Sequence, residues 1–534
     1  MRERLLARFT GRGTLVQPAA LELMLRHADP EGLAERVLSA VPPDRMVLTA
    51  ADVQGVLDRA GETAGDSPPP VRGGPAPAEP GTPSGDREPE PAGSAEAAAP
   101  ALLPPGGPPS AGSPAPECVP ASGPRHPVPG LRVIKDVTGQ STCEGRIEDF
   151  IHFFNDRMGR IRRILRNRRE MAGAVPIATL RQRRHERDVR FIGMVTDVRR
   201  TPHGRIIADL DDETGSFRIL LPAEERPPIN LVKDEVVGVV GKLSSEGDII
   251  WAQSIIRPDM ALTREPRRAG RPVCAAFVSD IHVGSKTFLE DRWRRFSAWL
   301  NGREKRHQDY ARRIEYLVVA GDIVDGIGVY PDQEEDLLIR DVYRQYQVLA
   351  EMLKDIPDRV RVLMLPGNHD AVRPAEPQPT FPPEITKLFD SRITFLGNPC
   401  QFALEGVEVL AYHGMSIADF ISTIPGLSFN TPLEVMKEML RRRHLAPVYG
   451  DKTPLAPESR DWMVVDSIPD IFVTGHVHGA GIENYRGVVL INASTWQSQT
   501  GYQKMMNFQP QPARVAVVDL ASLEWRTVSF DGQQ

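Results

Sequence analysis

Cysteine is scarce in this chain: four in 534 residues, Cys118, Cys143, Cys274 and Cys400, with no C-x-x-C spacing among them. That excludes a disulfide framework and a thiolate zinc site and fits a reducing cytoplasm, so any metal must be held by nitrogen and oxygen. No apolar run approaches the ~18 residues of a membrane span. The opening MRERLLARFTGRG also lacks the apolar core and cleavage site of a secretory signal. A cytoplasmic protein without membrane contact is the expectation. Aromatic residues make up only 6%, and residues 61–130 contain none while holding 20 of the 49 prolines. Such a segment cannot bury enough apolar surface to offset its ordering entropy, so 61–130 is expected to be a disordered Pro/Ala/Gly-rich linker.

What is present divides the rest of the chain. Residues 1–60 alternate short helical-period segments with breakers and read as a small helical domain. Residues 131–186 read as an Arg-rich helical connector, and 157–190 hold 12 arginines against three acids. A block of that kind suits nucleic acid or an acidic partner, or else forms a solvated helix face. Over 187–260 the period becomes two, with turn signals at DDETG and SSEGD. Four or five strands in so short a span suggest a small OB-type barrel. Its few aromatics, Phe191, Phe217 and Trp251, leave strand binding by the barrel open. From 270 to 534, short apolar strands alternate with helical stretches, implying a layered α/β domain with strands buried on both faces.

Polar residues recur where those strands end. SDIHVG supplies Asp280 and His282; GDIVDG supplies Asp322, with Asp325 behind it; GNHD supplies Asn368, His369 and Asp370. YHG supplies His413, and GHVH supplies His476 and His478. Five of only 12 histidines thus fall in these loops. Each signal alone is weak, because a single histidine after a strand is commonly structural. The conjunction is not weak, since strand carboxyl ends are where α/β sheets assemble their sites. The donors are too many for one ion and suit two divalent ions sharing a carboxylate, manganese, iron or zinc rather than calcium.

In that order, DIH, GDIVDG, GNHD, YHG and GHVH resemble the five signatures of the calcineurin-like metallophosphoesterases. The stretches DVTGQSTCEGRIEDFIHFFNDRMGRIRRILRNRR, LPGNHDAVRPAEPQP, HLAPVYGDKTPLAPESRDWMVVDSIPDIFVTGHVHGAG and NASTWQSQTGYQK narrow this further. They resemble the small-subunit family of the archaeal family D DNA polymerases, from about residue 131 onward. The resemblance implies a phosphoesterase β-sandwich flanked by helices, preceded by the OB-type barrel and the tethered helical domain. It implies that Asp280, His282, Asp322 and His478 hold one ion. Asp322 would bridge to a second held by Asn368, His413 and His476. His369 would face the leaving oxygen, and Asp370 would either orient that imidazole or serve as a structural carboxylate. Manganese is the ion first expected, with Mg2+, Fe2+ or Zn2+ also suited. The implied activity is 3′→5′ exonuclease proofreading of single-stranded or mismatched DNA 3′ ends, and the implied partner is a large catalytic subunit. No sliding-clamp motif is evident, so clamp contact would come through the holoenzyme. The long segment 415–469 between the fourth and fifth motifs, with RRRH at Arg441–His444 and two expected helices, is expected to shape the DNA channel or to roof the domain.

Overall fold

The computed structural model describes residues 130–182, 188–222, 230–262, 264–505 and 508–532, together with 5, 15–16, 18–27, 29–40, 47–48 and 50–60. The linker expected over 61–130 lies outside the described residues except for Gly130. The chain divides into two units, residues 1–112 and 113–534.

In the first unit, helices Pro18–Arg26, Pro30–Ala40 and Ala50–Ala60 surround a parallel pair of two-residue strands, Leu15–Val16 and Val47–Leu48. Leu21, Met24, Leu33, Val37, Val53 and Leu57 form its core. Their i, i+3/i+4 spacing turns one apolar stripe of each helix inward.

The second unit contains a closed barrel and two six-stranded sheets. The barrel strands Asp188–Arg200, Ile206–Asp212, Gly215–Leu221, Val236–Leu243 and Ile249–Ile256 run in the order first, second, third, fifth, fourth, and the fourth pairs back to the first. Phe191 and Phe217 are buried inside it, whereas Trp251 stands outside. Four parallel strands make up most of one sheet: Ile393–Phe395, Arg361–Leu365, Ile314–Ala320 and Cys274–Val278. The antiparallel pair Arg514–Asp519 and Trp525–Ser529 completes it. The other sheet runs Ala480–Tyr485, Val488–Ala493, Ile471–Thr474, Val407–Ala411, Cys400–Leu404 and Leu131–Lys135.

The two sheets pack face to face. Along Cys274–Val278, Ala275 and Phe277 meet the opposite sheet, while Cys274, Ala276 and Val278 meet helices Glu290–Leu300 and Val342–Leu353. This two-residue alternation with no polar side is why the strand reads as a continuous apolar run. Helices Ile417–Thr423 and Pro432–Arg442 cover the outer face of the second sheet. Among the described residues, no helix is long and apolar enough to cross a membrane.

One expectation is corrected here and another is narrowed. Leu131–Lys135 is an edge strand paired antiparallel with Cys400–Leu404, not part of a helical connector. The following helix, Ile147–Arg166, divides its arginines: Arg157 and Arg160 turn inward, while Arg163 and Arg166 stay exposed. Arg157 is fully buried against Asp461, and Arg160 engages Asp156 and Asp466. Arg162 pairs with Glu213 on the barrel. Among the arginines from 157 to 190, Arg183, Arg184 and Arg187 lie outside the described residues.

Candidate metal centre

Five chain reversals carry the site. Each follows a parallel strand of one sheet or the other, so the side chains meet at the shared carboxyl edge of the sandwich. The backbone there is tightly wound: Asp280, His282, Asp322, His476 and His478 have φ of 51°, 54°, 50°, 68° and 55°. Residues with a Cβ hold that left-handed conformation at a cost of about 1 kcal/mol or more each, and such strain gathers at functional loops. Gly321, at φ 94°, is required for a further reason. A Cβ there would lie 2.3 Å from His413 Nδ1, and one at Gly367 would lie 2.2 Å from Asp322 Oδ1.

The expected donors fall into two groups. In one, Asp280 Oδ1 lies 3.4 Å from His478 Nε2 and 3.8 Å from His282 Nε2, and the two imidazole Nε2 atoms are 3.2 Å apart. In the other, His413 Nε2 lies 3.2 Å from Asp322 Oδ2 and 3.1 Å from Asn368 Oδ1, with His476 close by. Asp322 Oδ2 is also 3.8 Å from His282 Nε2, which places this carboxylate between the groups.

The hydrogen bonds behind these atoms decide what they can hold. His413 Nδ1–H donates to the Ala320 carbonyl at 2.9 Å, and His282 Nδ1 faces Asp325 Oδ1 at 2.9 Å. Each ring therefore turns Nε2 inward as a lone pair when neutral. In the second group the neutral ring would turn that lone pair on two oxygen acceptors, so the position calls for a positive charge, a proton or a metal ion. A cation satisfies this arrangement; water or a neutral side chain does so poorly.

The electrostatics agree. Burial opposes charge at His413, yet the Asp322 carboxylate pushes its pKa up to about 10. Burial likewise opposes ionisation of Asp280 and Asp322, but the surrounding imidazoles hold both below the usual carboxylate range. His476 is pushed down to about 3 by burial and by the neighbouring His413. The pocket stabilises positive charge but cannot place it on every ring. The donor set, nitrogen and oxygen without sulfur, suits a borderline or hard divalent ion.

His369 stands beside the first group, its ring 4.7 Å from that of His282. Its backbone N–H donates to Asp322 Oδ1 at 2.9 Å, and its Nδ1–H donates to the Asp325 carbonyl at 2.8 Å. Asp325 thus holds His282 through its carboxylate and His369 through its backbone. Of the two readings of Asp370, these contacts favour the structural carboxylate over the residue orienting His369. Asp370 is buried under the loops, accepting from Gly367 N–H at 2.8 Å and from Tyr346 Oη–H at 3.3 Å. Burial, reinforced by Asp322, pushes its pKa up to about 7.

Gln503 and Gln497 support the centre without belonging to any of the strand-end motifs. Gln503 Nε2 lies 2.8 Å from His478 Nδ1, and Gln497 Nε2 reaches Ser285 Oγ at 2.9 Å and Asp325 Oδ1 at 3.4 Å. Their only signal was an amide-rich stretch, WQSQTGYQ, after the last strand of the motif series. Within segment 415–469, Arg442, Arg443 and His444 turn inward, as the roofing alternative requires. Arg442 pairs with Glu235 and Glu438, Arg443 donates to the Val465 and Asp466 carbonyls, and His444 bonds Asp461.

Fold and site together define an α/β sandwich with a candidate two-ion centre at its strand ends, joined to a closed five-stranded barrel. Residues 275–480, a span containing all the strand-end motifs, match the family model of the DNA polymerase alpha/epsilon B subunit. The DNA polymerase II small subunit of Archaeoglobus fulgidus is 45% identical over 72% of this chain and 78% of its own length. That of Methanocaldococcus jannaschii is 41% identical over 73% and 68%. The Halobacterium salinarum protein of the same name is 36% identical over 98% of this chain and 97% of its own. The chain belongs to the family of archaeal DNA polymerase II small subunits.

Proposed function

We propose that this chain carries the two-metal 3′→5′ exonuclease of an archaeal DNA polymerase whose large subunit performs synthesis. The observation supporting this reading most directly is the convergence of seven donors from five strand ends, their lone pairs facing one another across Asp322. Asp280, His282, Asp322 and His478 would hold one ion, and Asp322, Asn368, His413 and His476 the other. Manganese suits this mixed donor set, as do iron and zinc. Bound there, the ions would supply Lewis-acid charge and lower the pKa of water.

The chain's own residues do the rest. Asp325 fixes the two imidazoles, so that the Nε2 edge of His369 is left free for the leaving oxygen of a phosphodiester. Asp322 is held by the His369 backbone and cannot rotate away when DNA enters. Asp370 belongs to the support of the loops rather than to the reacting groups. The sandwich is read as calcineurin-like and the barrel as OB-type, the two together facing the large subunit.

The test is digestion of 5′-labelled single-stranded and mismatched primer-template DNA with manganese, with and without the large subunit. Stepwise shortening from the 3′ end, lost in Asp322→Ala, is the expected result. If no metal-dependent shortening occurs under any of these conditions, the chain is a structural subunit and the nuclease reading is wrong.

A further inference from the structure

One feature of the barrel has no role in the metal centre. Leu220, Trp251 and Lys242 form a row across three adjacent strands, Leu220 and Lys242 both pairing directly with Trp251. The row faces outward: Trp251 is 49% exposed and Lys242 is exposed as well. Arg205, where the loop after the first strand enters the second, sets its guanidinium 5.9 Å from the indole centroid. Arg205, Leu220, Pro222, Lys242, Trp251 and Gln253 border a shallow depression of about 240 Å³.

Two contrasts mark this row out. Elsewhere on the barrel's outer face, large apolar side chains are covered: Ile192, Met194, Val236, Val240 and Ile256 lie in one cluster with Met158, Ile161 and Leu165 of the Arg-rich helix. Trp251 has no such cover. On the neighbouring strands, Arg199 and Arg218 are neutralised by Asp209. Among the described residues, Arg205 and Lys242 have no ion-pair partner and no carboxylate borders the depression.

An exposed aromatic plane flanked by two cations that form no ion pair among the described residues, with Asp188 directly across the ladder from Lys242, fits a ligand that is itself flat and anionic. A protein helix would need a wider apolar patch than a single ring supplies. We propose that Trp251, with Arg205 and Lys242, is a base-stacking site for one unpaired nucleotide of single-stranded DNA. The indole takes the base, and the guanidinium and ammonium take the flanking phosphates. The choice of DNA rests on the polymerase reading above; the stacking geometry does not.

The experiment uses the full chain in chelator, so that nothing is hydrolysed. Fluorescein-labelled oligothymidylate of about 12 nucleotides, within the site size of a barrel of this kind, is titrated and followed by anisotropy. Trp251→Ala should weaken binding between about fivefold and a hundredfold, and Trp251→Phe should retain most of the affinity. The double variant Arg205→Gln/Lys242→Gln should lower the slope of log K against log salt by about 1.4, roughly 0.7 for each lost contact. Wild-type affinity in Trp251→Ala overturns the proposal, including the case where that variant instead loses the large subunit. If Trp251→Ala fails to fold, the double variant decides alone, and an unchanged salt slope overturns the proposal. The nuclease reading fails separately: a chain that binds oligothymidylate through Trp251 but digests nothing keeps this site and loses that activity.

Discussion

Arg157 Nε lies 2.7 Å from Asp461 Oδ2, with both side chains fully buried. The same guanidinium donates through Nη1 to the Asp234 carbonyl at 3.1 Å and the Pro447 carbonyl at 2.5 Å. One residue of the Arg-rich helix thereby ties together the edge of the barrel and the segment between the fourth and fifth motifs. Removing one partner of a buried, hydrogen-bonded pair strands the other charge. Arg157→Ala is therefore predicted to cost about 3–5 kcal/mol, read from urea denaturation of the chain. Arg157→Met combined with Asp461→Leu should not recover that loss, because His444 Nε2–H and Met463 N–H also lose their partner. A cost below about 1 kcal/mol for the single change would show that the pair is not holding these segments.

This pair also shows where sequence reading stops. The strand-end motifs were legible because each is a local word: a ligand, a neighbouring glycine and an apolar run before it. The arginine block was a local count as well, but its meaning depends on Asp461, 304 residues away. No helical periodicity could say that Arg157 turns towards an acid so distant. The strand Leu131–Lys135 was missed for the same reason, since among the described residues its only ladder partner is Cys400–Leu404. Asp370 stands next to His369 in the chain, yet loop geometry gives the orienting contact to the Asp325 carbonyl. Alternation indicated that barrel side chains face two ways, but only closure of the barrel assigned Phe191 and Phe217 to the inside and Trp251 to the outside.

His444 belongs to the same buried cluster and gives it a pH dependence. Its Nε2–H donates to Asp461 at 2.8 Å and its Nδ1 accepts from Ala446 N–H at 3.1 Å, so the neutral ring is fully engaged. Burial, with the charge of Arg157, pushes its pKa down to about 4 from an ordinary 6.5. Below pH 6.5 the unfolded chain takes up this proton before the folded one. Stability is therefore lost as pH falls from 6.5 towards 4. Between pH 6.5 and 5 the loss should be about 1.5 kcal/mol, and His444→Gln should remove it. Glu376, pushed up to about 7 by burial, contributes the opposite slope in both proteins and cancels in the difference. Equal pH profiles for wild type and variant in denaturant titrations would refute the assignment.

Gln503 offers a test of the metal centre that does not depend on activity. Its amide nitrogen faces His478 Nδ1, while its Oε1 accepts from Thr500 N–H at 3.1 Å. For His478 Nε2 to ligate an ion, the ring proton must sit on Nδ1, and the amide must present its oxygen there. Gln503→Glu offers only acceptors, so it should hold Nδ1–H and keep or tighten metal binding. Gln503→Leu removes the partner and should weaken binding about 10–100-fold in calorimetric titration with manganese. Identical affinities for the two variants would mean that Gln503 does not orient the ring.

Close backbone approach makes the strongest geometric demand on the centre. A Cβ at Gly367 would stand 2.2 Å from Asp322 Oδ1, 2.6 Å from the Asp322 backbone nitrogen and 2.8 Å from His413 Cε1. A side-chain tip can swing aside, but the backbone nitrogen cannot, so one whole loop must move. Because Asp322 lies between the two donor groups, Gly367→Ala should weaken manganese binding at both, by about tenfold or more on the scale of lost ligand support. The accompanying strain should cost about 1–3 kcal/mol of stability. Gly159→Ala is the control. It lies in the helix Ile147–Arg166 with nothing within 4 Å of an added Cβ. That change should leave metal binding untouched and stabilise the chain by about 0.5–1 kcal/mol. Two tightly bound equivalents of manganese in Gly367→Ala would mean that the donors are not clamped by this contact. The centre would then owe its affinity to the ligand set alone.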